Sequence, residues 1–228
     1  MVFRRILYGL AIALLPALPP PGAAHAQGRP PELNTQFHRA ETAWRSGASM
    51  LEAKARIDRV LTALPDDVAA LKLRARVLLE MERPAEALRD ARRAARLQPE
   101  DSEAHLIRCE AARLTGDLGE AGAALDAAAR IAGDDPGLHV HLSWNAVLLG
   151  RLDEAEAFAR IALAAEPDDA AGRYQLARVF ILKEQPDAAV TLLADGLRAA
   201  VLDPAVVRTD TVLVRVAAHP ELQNLLDR

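Results

Sequence analysis

Apolar side chains at Val68, Leu71, Ala75 and Leu78 follow the i, i+3, i+7, i+10 spacing of one helix face. The same alternation of a buried stripe with charge predicts helices over 68–81, 102–114, 136–149 and 170–182. Each is followed by a turn marked by glycine or proline, as at Gly116-Asp117, Gly150-Arg151 and Gln185-Pro186. A second amphipathic stretch of similar length comes after each turn. The chain therefore reads as pairs of antiparallel helices.

The pairs recur at a fixed period. Pro65-Asp66-Asp67, Pro99-Glu100-Asp101, Gly133-Asp134-Asp135 and Pro167-Asp168-Asp169 are spaced by 34 residues, and one further step reaches Asp203. Each closing aspartate is placed to cap the next helix by accepting from its first free backbone N–H groups. The proline or glycine two places earlier stops the preceding helix. Ala53, Ala87, Ala121, Ala155 and Ala189 form an independent column at the same spacing. Small residues recur at Val60, Ala94, Ala128, Ala162 and Gly196, and again at Ala75, Cys109, Ser143 and Ala177, where the first copy has Glu41. Fixed columns of small side chains are what closely approaching helices require.

Period, turn glycine, alanine column and closing proline together resemble the tetratricopeptide repeat. The resemblance covers residues 34–203, as copies 34–67, 68–101, 102–135, 136–169 and 170–203, with residues 27–33 as a linker. It implies an all-α, right-handed α-solenoid of about five helix-turn-helix repeats. The bulky eleventh place of each copy holds Trp44, Leu78, Ala112, Ala146 and Phe180. The paired Leu-small places are met best by Leu142-Ser143 and Leu176-Ala177. Three departures stand out. The usually apolar seventh place holds Arg74 and Arg108, which either lay their stems on the core and expose the charge or mark altered packing. The first copy lacks the turn glycine, and the fifth ends without proline. Residues 204–228 resemble a capping segment in which Leu222, Leu225 and Leu226 cover the end of the stack.

Ahead of the repeats, MVFRR precedes the apolar run ILYGLAIALLPAL and then Ala24-His25-Ala26. Basic, then apolar, then A-x-A is the order of a secretory signal peptide, so cleavage is expected before Gln27 and the protein is expected in a bacterial periplasm. The competing reading is a retained anchor. The run from Ile6 to Leu18 has 13 residues and contains Pro16, against the about 20 that span a bilayer. No cysteine near the cleavage site supports a lipid anchor. Loss of residues 1–26 removes Arg4 and Arg5 and no acid, taking the formal charge from −4 to −6. That balance argues against nucleic acid or an anionic membrane as the main partner. Cys109 is the single cysteine, so no internal disulfide forms. With 51% hydrophobic but only 4% aromatic residues, stability has to come from packed Ala, Leu and Val.

Chemistry is hard to find in the sequence. His139 and His141 are two apart on a helix and point about 200° from each other. His105 and His139 share a column of adjacent copies, which keeps a metal pair open as the alternative to ordinary packed histidines. Cys109 sits in a small-residue column and reads as an inert thiol. No H-E-x-x-H, C-x-x-C, P-loop or G-x-S-x-G sequence occurs. No catalytic residue, cofactor or metal is therefore expected. In the resembled family, the first helix of each repeat lines a concave groove through its second, fifth, sixth, ninth, twelfth and thirteenth places. Carried onto this chain, the groove candidates are Arg39, Lys72, Arg76, Glu110, His141, Trp144, Tyr174 and Arg178. Trp144, Tyr174, Arg76 and Arg178 are of the types enriched at binding hot spots. Trp144 has a second reading, as a ring packed against the neighbouring repeat. Some family members clamp a chaperone's C-terminal carboxylate with a fifth-place Lys and ninth-place Asn. Here Lys72 is followed by Arg76 and then Ile107, so that ligand does not carry over. The expectation is a scaffold, monomeric or weakly homo-oligomeric, that binds a protein or extended peptide. The alternative is an accessory enzyme subunit or a small-ligand or metal binder using the same groove.

Overall fold

Helix boundaries follow directly from the spaced aspartates. The computed structural model describes residues 28–227, so the expected signal peptide lies outside the described residues. Helices come in pairs: α1 (Pro31–Arg45) with α2 (Met50–Ala63), α3 (Val68–Glu80) with α4 (Pro84–Leu97), α5 (Ser102–Leu114) with α6 (Leu118–Ile131), α7 (Pro136–Leu148) with α8 (Leu152–Ala165), and α9 (Ala170–Leu182) with α10 (Pro186–Arg198). After them come α11 (Pro204–Thr209), a 3-10 turn (Leu213–Val216) and α12 (Pro220–Leu226). No strand occurs among the described residues. The side chain of Asp67 accepts from Ala70 N at 3.0 Å, Asp101 from Ala104 N at 3.0 Å and Asp135 from Leu138 N at 3.0 Å. Asp169 accepts from Ala171 and Gly172, and Asp203 from Ala205. All five therefore satisfy donors that the first turn would leave bare.

Turns between paired helices need one residue in the left-handed region. Gly116 (φ 85°) and Gly150 (φ 75°) supply it without strain, but Glu82 (φ 58°) and Glu184 (φ 60°) occupy the same place in neighbouring copies. A side chain there costs about 1–2 kcal/mol relative to glycine. The first pair has its own solution, because Gly47 (φ 65°), one place earlier, makes the turn. The glycine missing from the expected place is thus displaced by one residue.

Two compact units, residues 28–131 and 132–227, make up the described chain. The first has a core of Phe37, Ala53, Ile57, Val60, Leu71 and Leu73, all at most 1% exposed. The second is built on Tyr174, Ala177, Leu193, Leu213 and Leu222, all at most 2% exposed. Ala53, Ala87, Ala121, Ala155 and Ala189 are each fully buried. The other column ends in Gly196, where a Cβ would lie 2.6 Å from Leu202 Cδ1. Backbone and neighbour meet there as closely as a glycine permits. At the Ser143 place a hydroxyl replaces alanine: it donates to the carbonyl of Ala155 at 2.7 Å and accepts from Gln175 Nε2 at 3.2 Å. This buried chain of hydrogen bonds ties α7, α8 and α9 in one register.

The two seventh-place arginines are resolved by pairing. Arg74 donates to both oxygens of Asp90 at 2.7 and 2.8 Å and to Asp58 at 3.0 Å, joining α3 to α4 and α2. Arg108 donates to Glu120 at 2.7 Å, and Arg92 reaches the same carboxylate at 2.8 Å. Hydrogen bonds from Arg92, opposed by partial burial and reinforced by Arg108, pull the Glu120 carboxyl down to about 2. A depressed carboxylate stabilises the folded state above its ordinary value and loses that contribution as pH falls through the shifted one. Glu120→Gln is therefore expected to lower the melting temperature at pH 7, with the gap to the parent closing as pH drops from about 4.5 towards about 2. Thermal unfolding followed by circular dichroism across that range checks it.

Candidate partner-binding site

The first helices of the pairs carry the candidate groove residues, and the alternation of their faces decides which of these remain available. In the first unit α1, α3 and α5 present Arg39, Lys72, Arg76 and Glu110; in the second, α7 and α9 present His141, Trp144, Tyr174 and Arg178.

Arg39 is exposed. Lys72, expected at the surface, is 6% exposed because its ammonium is held by Asp101 at 2.6 Å and Glu103 at 2.8 Å. Arg76 pairs with Glu103 at 2.5 Å and stands over the Trp44 ring, 5.2 Å from its centroid. Glu103 thus neutralises both cations. Glu110 is half-buried, and burial raises its carboxyl above the ordinary value; Arg113 and Arg76 pull it back, and Glu80 adds to the rise.

In the second unit Trp144 is half-buried, between the two readings open to the sequence. The guanidinium of Arg178 lies 5.4 Å from its ring centroid, a cation–π distance. Arg178 is itself only 4% exposed and paired with Asp210, its Nε donating at 2.9 Å. Asp210 also accepts from Val212 and Leu213 at 2.9 Å, capping the 3-10 turn. Burial opposes its ionisation, but Arg178 and these two N–H groups outweigh burial and hold the carboxyl below its ordinary value. Tyr174 is also internal, at 2% exposed. Its hydroxyl donates to the Asp203 carbonyl at 2.9 Å, and burial pushes it up to about 12. Tyr174 and Arg178 therefore act as struts to the C-terminal segment instead of standing free for a partner. His141 is half-buried, one turn before Trp144.

The sequence reading missed Asp210. It lies beyond the last repeat, where the period says nothing, although an aspartate ahead of the apolar run VLVRV carries the signature of a cap. The Arg29 clasp was missed too: its guanidinium donates to Asp67 at 2.7 Å and sits 3.9 Å from the Phe37 centroid. His105 and His139 each bond a backbone carbonyl, of Pro99 and Asp135 respectively, both at 2.9 Å. Among the described residues no three His, Cys, Asp or Glu side chains gather as a metal site would need. Nor is any described helix long and apolar enough to cross a membrane.

Comparison with known proteins agrees with this architecture. Tetratricopeptide-repeat profiles match residues 72–136 and 146–209. Sequence comparison with curated proteins returns no match. Among solved structures, a thermophilic tetratricopeptide-repeat protein of Thermus thermophilus is 25% identical and superposes with a TM-score of 0.64, over 80% of this chain and 99% of that one. PilW, a widely conserved type IV pilus biogenesis factor, is 19% identical, with a TM-score of 0.61 over 87% of this chain and all of that one. MamA from Desulfovibrio magneticus RS-1 is 13% identical, with a TM-score of 0.59 over 75% and 96%. The last two likenesses speak for the fold alone. The fold is that of a protein-interaction scaffold.

Asp210→Asn keeps an acceptor for the 3-10 turn but leaves the buried Arg178 guanidinium without its counter-charge. It is expected to cost about 3 kcal/mol in urea unfolding. The double change Arg178→Met, Asp210→Asn removes that orphaned charge and is expected to cost less than the single change.

Proposed function

The chain belongs to the tetratricopeptide-repeat family, and on that premise we propose that it is a periplasmic scaffold that holds an extended segment of a partner protein against the first helices of its repeats. The observation that carries this reading is Trp144, a large aromatic left half-accessible on α7 with an arginine behind its ring. A tryptophan in such a place supplies apolar contact area at little entropic cost, and its ring is already oriented by Arg178. His141 flanks it. On the first unit, Arg39, Arg76 and Glu110 form a recognition face of their own, with Arg76 held by Glu103 and Trp44. Lys72, Tyr174 and Arg178 serve from behind, by keeping these helices in place. Recognition is the whole mechanism, with no bond made or broken. The groups this scaffold serves are envelope, secretion, pilus or protein-maturation assemblies, supported by the sequence order of residues 1–26 and by the kinship in fold with PilW. Residues 1–26, 27–33, the five 34-residue copies and 204–228 are the divisions we assign to the chain.

The test places a photo-crosslinking amino acid at 141 or 147, beside Trp144, and at Ala157 on the exposed side of α8, in cells that make the protein. One discrete adduct is expected from 141 and 147 and none from 157. Trp144→Ala is expected to cut its yield about tenfold or more with helicity unchanged, as for a hot-spot truncation. Equal yields from all three positions, or an adduct indifferent to Trp144→Ala, would rule out the groove.

A further inference from the structure

Charge is divided unevenly along the chain. Residues 28–131 carry seventeen Lys/Arg and seventeen Asp/Glu, whereas residues 132–228 carry nine against fifteen. The second unit is therefore acidic by six charges, and the first is neutral overall. Within the first unit the cations are concentrated on α4, whose sequence after Glu86 has four arginines and one acid, the inward-turned Asp90. Arg89, Arg92 and Arg96 are exposed at i, i+3 and i+7, so they share one face. Arg92 is occupied by Glu120 and the neighbouring Arg93 by Asp66. Arg89 has only a 3.9 Å approach to Glu86, and no described carboxylate pairs with Arg96. Beside Arg96 stands Leu97, 42% exposed and one of the few large apolar side chains turned to solvent.

The second unit has the converse patch. Ile161 on α8 is 43% exposed, and one turn beyond it the helix ends at Ala165, followed by Glu166 and Asp168, both exposed and unpaired among the described residues. Two bases lie near, and both are engaged elsewhere. Arg160 turns to Glu156 and the Phe180 ring, and Arg173 donates to the carbonyl of Pro167 at 2.6 Å. One surface thus offers one unmet and one loosely paired guanidinium beside an exposed leucine. The other offers two unmet carboxylates beside an exposed isoleucine. We propose that the arginine face of α4 in one copy docks onto the Glu166–Asp168 end of α8 in a second copy of this chain. Arginine forks meet carboxylates in this contact, and Leu97 meets Ile161. The surfaces differ, so the contact is heterologous. It uses none of the residues assigned to the Trp144 face.

Sedimentation velocity of the purified protein tests this. At about 50 mM salt the weight-average mass is expected to rise with concentration above that of a monomer, and at about 500 mM salt it is expected to fall back, since exposed pairs are screened. Arg89→Glu with Arg96→Glu, and separately Glu166→Lys with Asp168→Lys, are each expected to stay monomeric at low salt. Mixing the two charge-reversed proteins is expected to restore association, a result that a folding defect in either cannot produce. A monomer at every concentration, association insensitive to salt, or a mixture that stays monomeric would overturn the proposal. Salt-sensitive retention of a strictly monomeric protein on vesicles with anionic lipid would overturn it too, by assigning the α4 face to a membrane.

Discussion

Close approach of helices at fixed columns of small side chains is the constraint on which this molecule depends. Alanine at 53, 87, 121, 155 and 189 is fully buried every time. Backbones so close leave no room for a methylene, and a single bulky residue would force axes apart along the whole pair. With only 4% aromatic residues, the chain gains stability from many such short-range contacts instead of a few large ones. The repeated aspartates then decide where each helix starts, and the left-handed residue between paired helices decides where it turns back. Caps, turns and columns recur at one period, so local preference and tertiary packing ask for the same structure.

Charged residues complete the construction where the repeat pattern lapses. Arg74 and Arg108 occupy places that ordinarily bury apolar side chains, and each finds carboxylates on neighbouring helices. The Arg178–Asp210 pair fastens the segment after the last repeat to α9, and the same guanidinium supports the Trp144 ring. One groove candidate, Arg178, thus holds another, the Trp144 ring, in place. On the first unit, Glu103 does a similar service by neutralising Lys72 and Arg76 together.

Periodicity is strongest where the physics repeats. Helix positions, capping aspartates and buried columns were legible because each is a local rule met several times. Placement of the groove candidates was less so. Tyr174 and Arg178 stand in groove register, but their neighbours are Asp203 and Asp210 of a segment that repeats nothing. Their burial is a property of that segment's fold, which no period announces. Glutamate at 82 and 184 was illegible for the opposite reason: propensity asks for glycine, and the surrounding pairs of packed helices impose the left-handed backbone regardless. The arginine against the Trp144 ring was equally illegible, because where that side chain lies is a matter of rotamers and partners more than of sequence spacing.

The packing claim meets its most direct test in two substitutions of alanine by leucine on the same helix. Ala155 is fully buried in the contact column, and Ala157, two residues on, is exposed. In chemical unfolding, Ala155→Leu is expected to lose about 2 kcal/mol or more through overpacking, while Ala157→Leu stays within about 0.5 kcal/mol of the parent. Equal stability of the two variants would contradict the account.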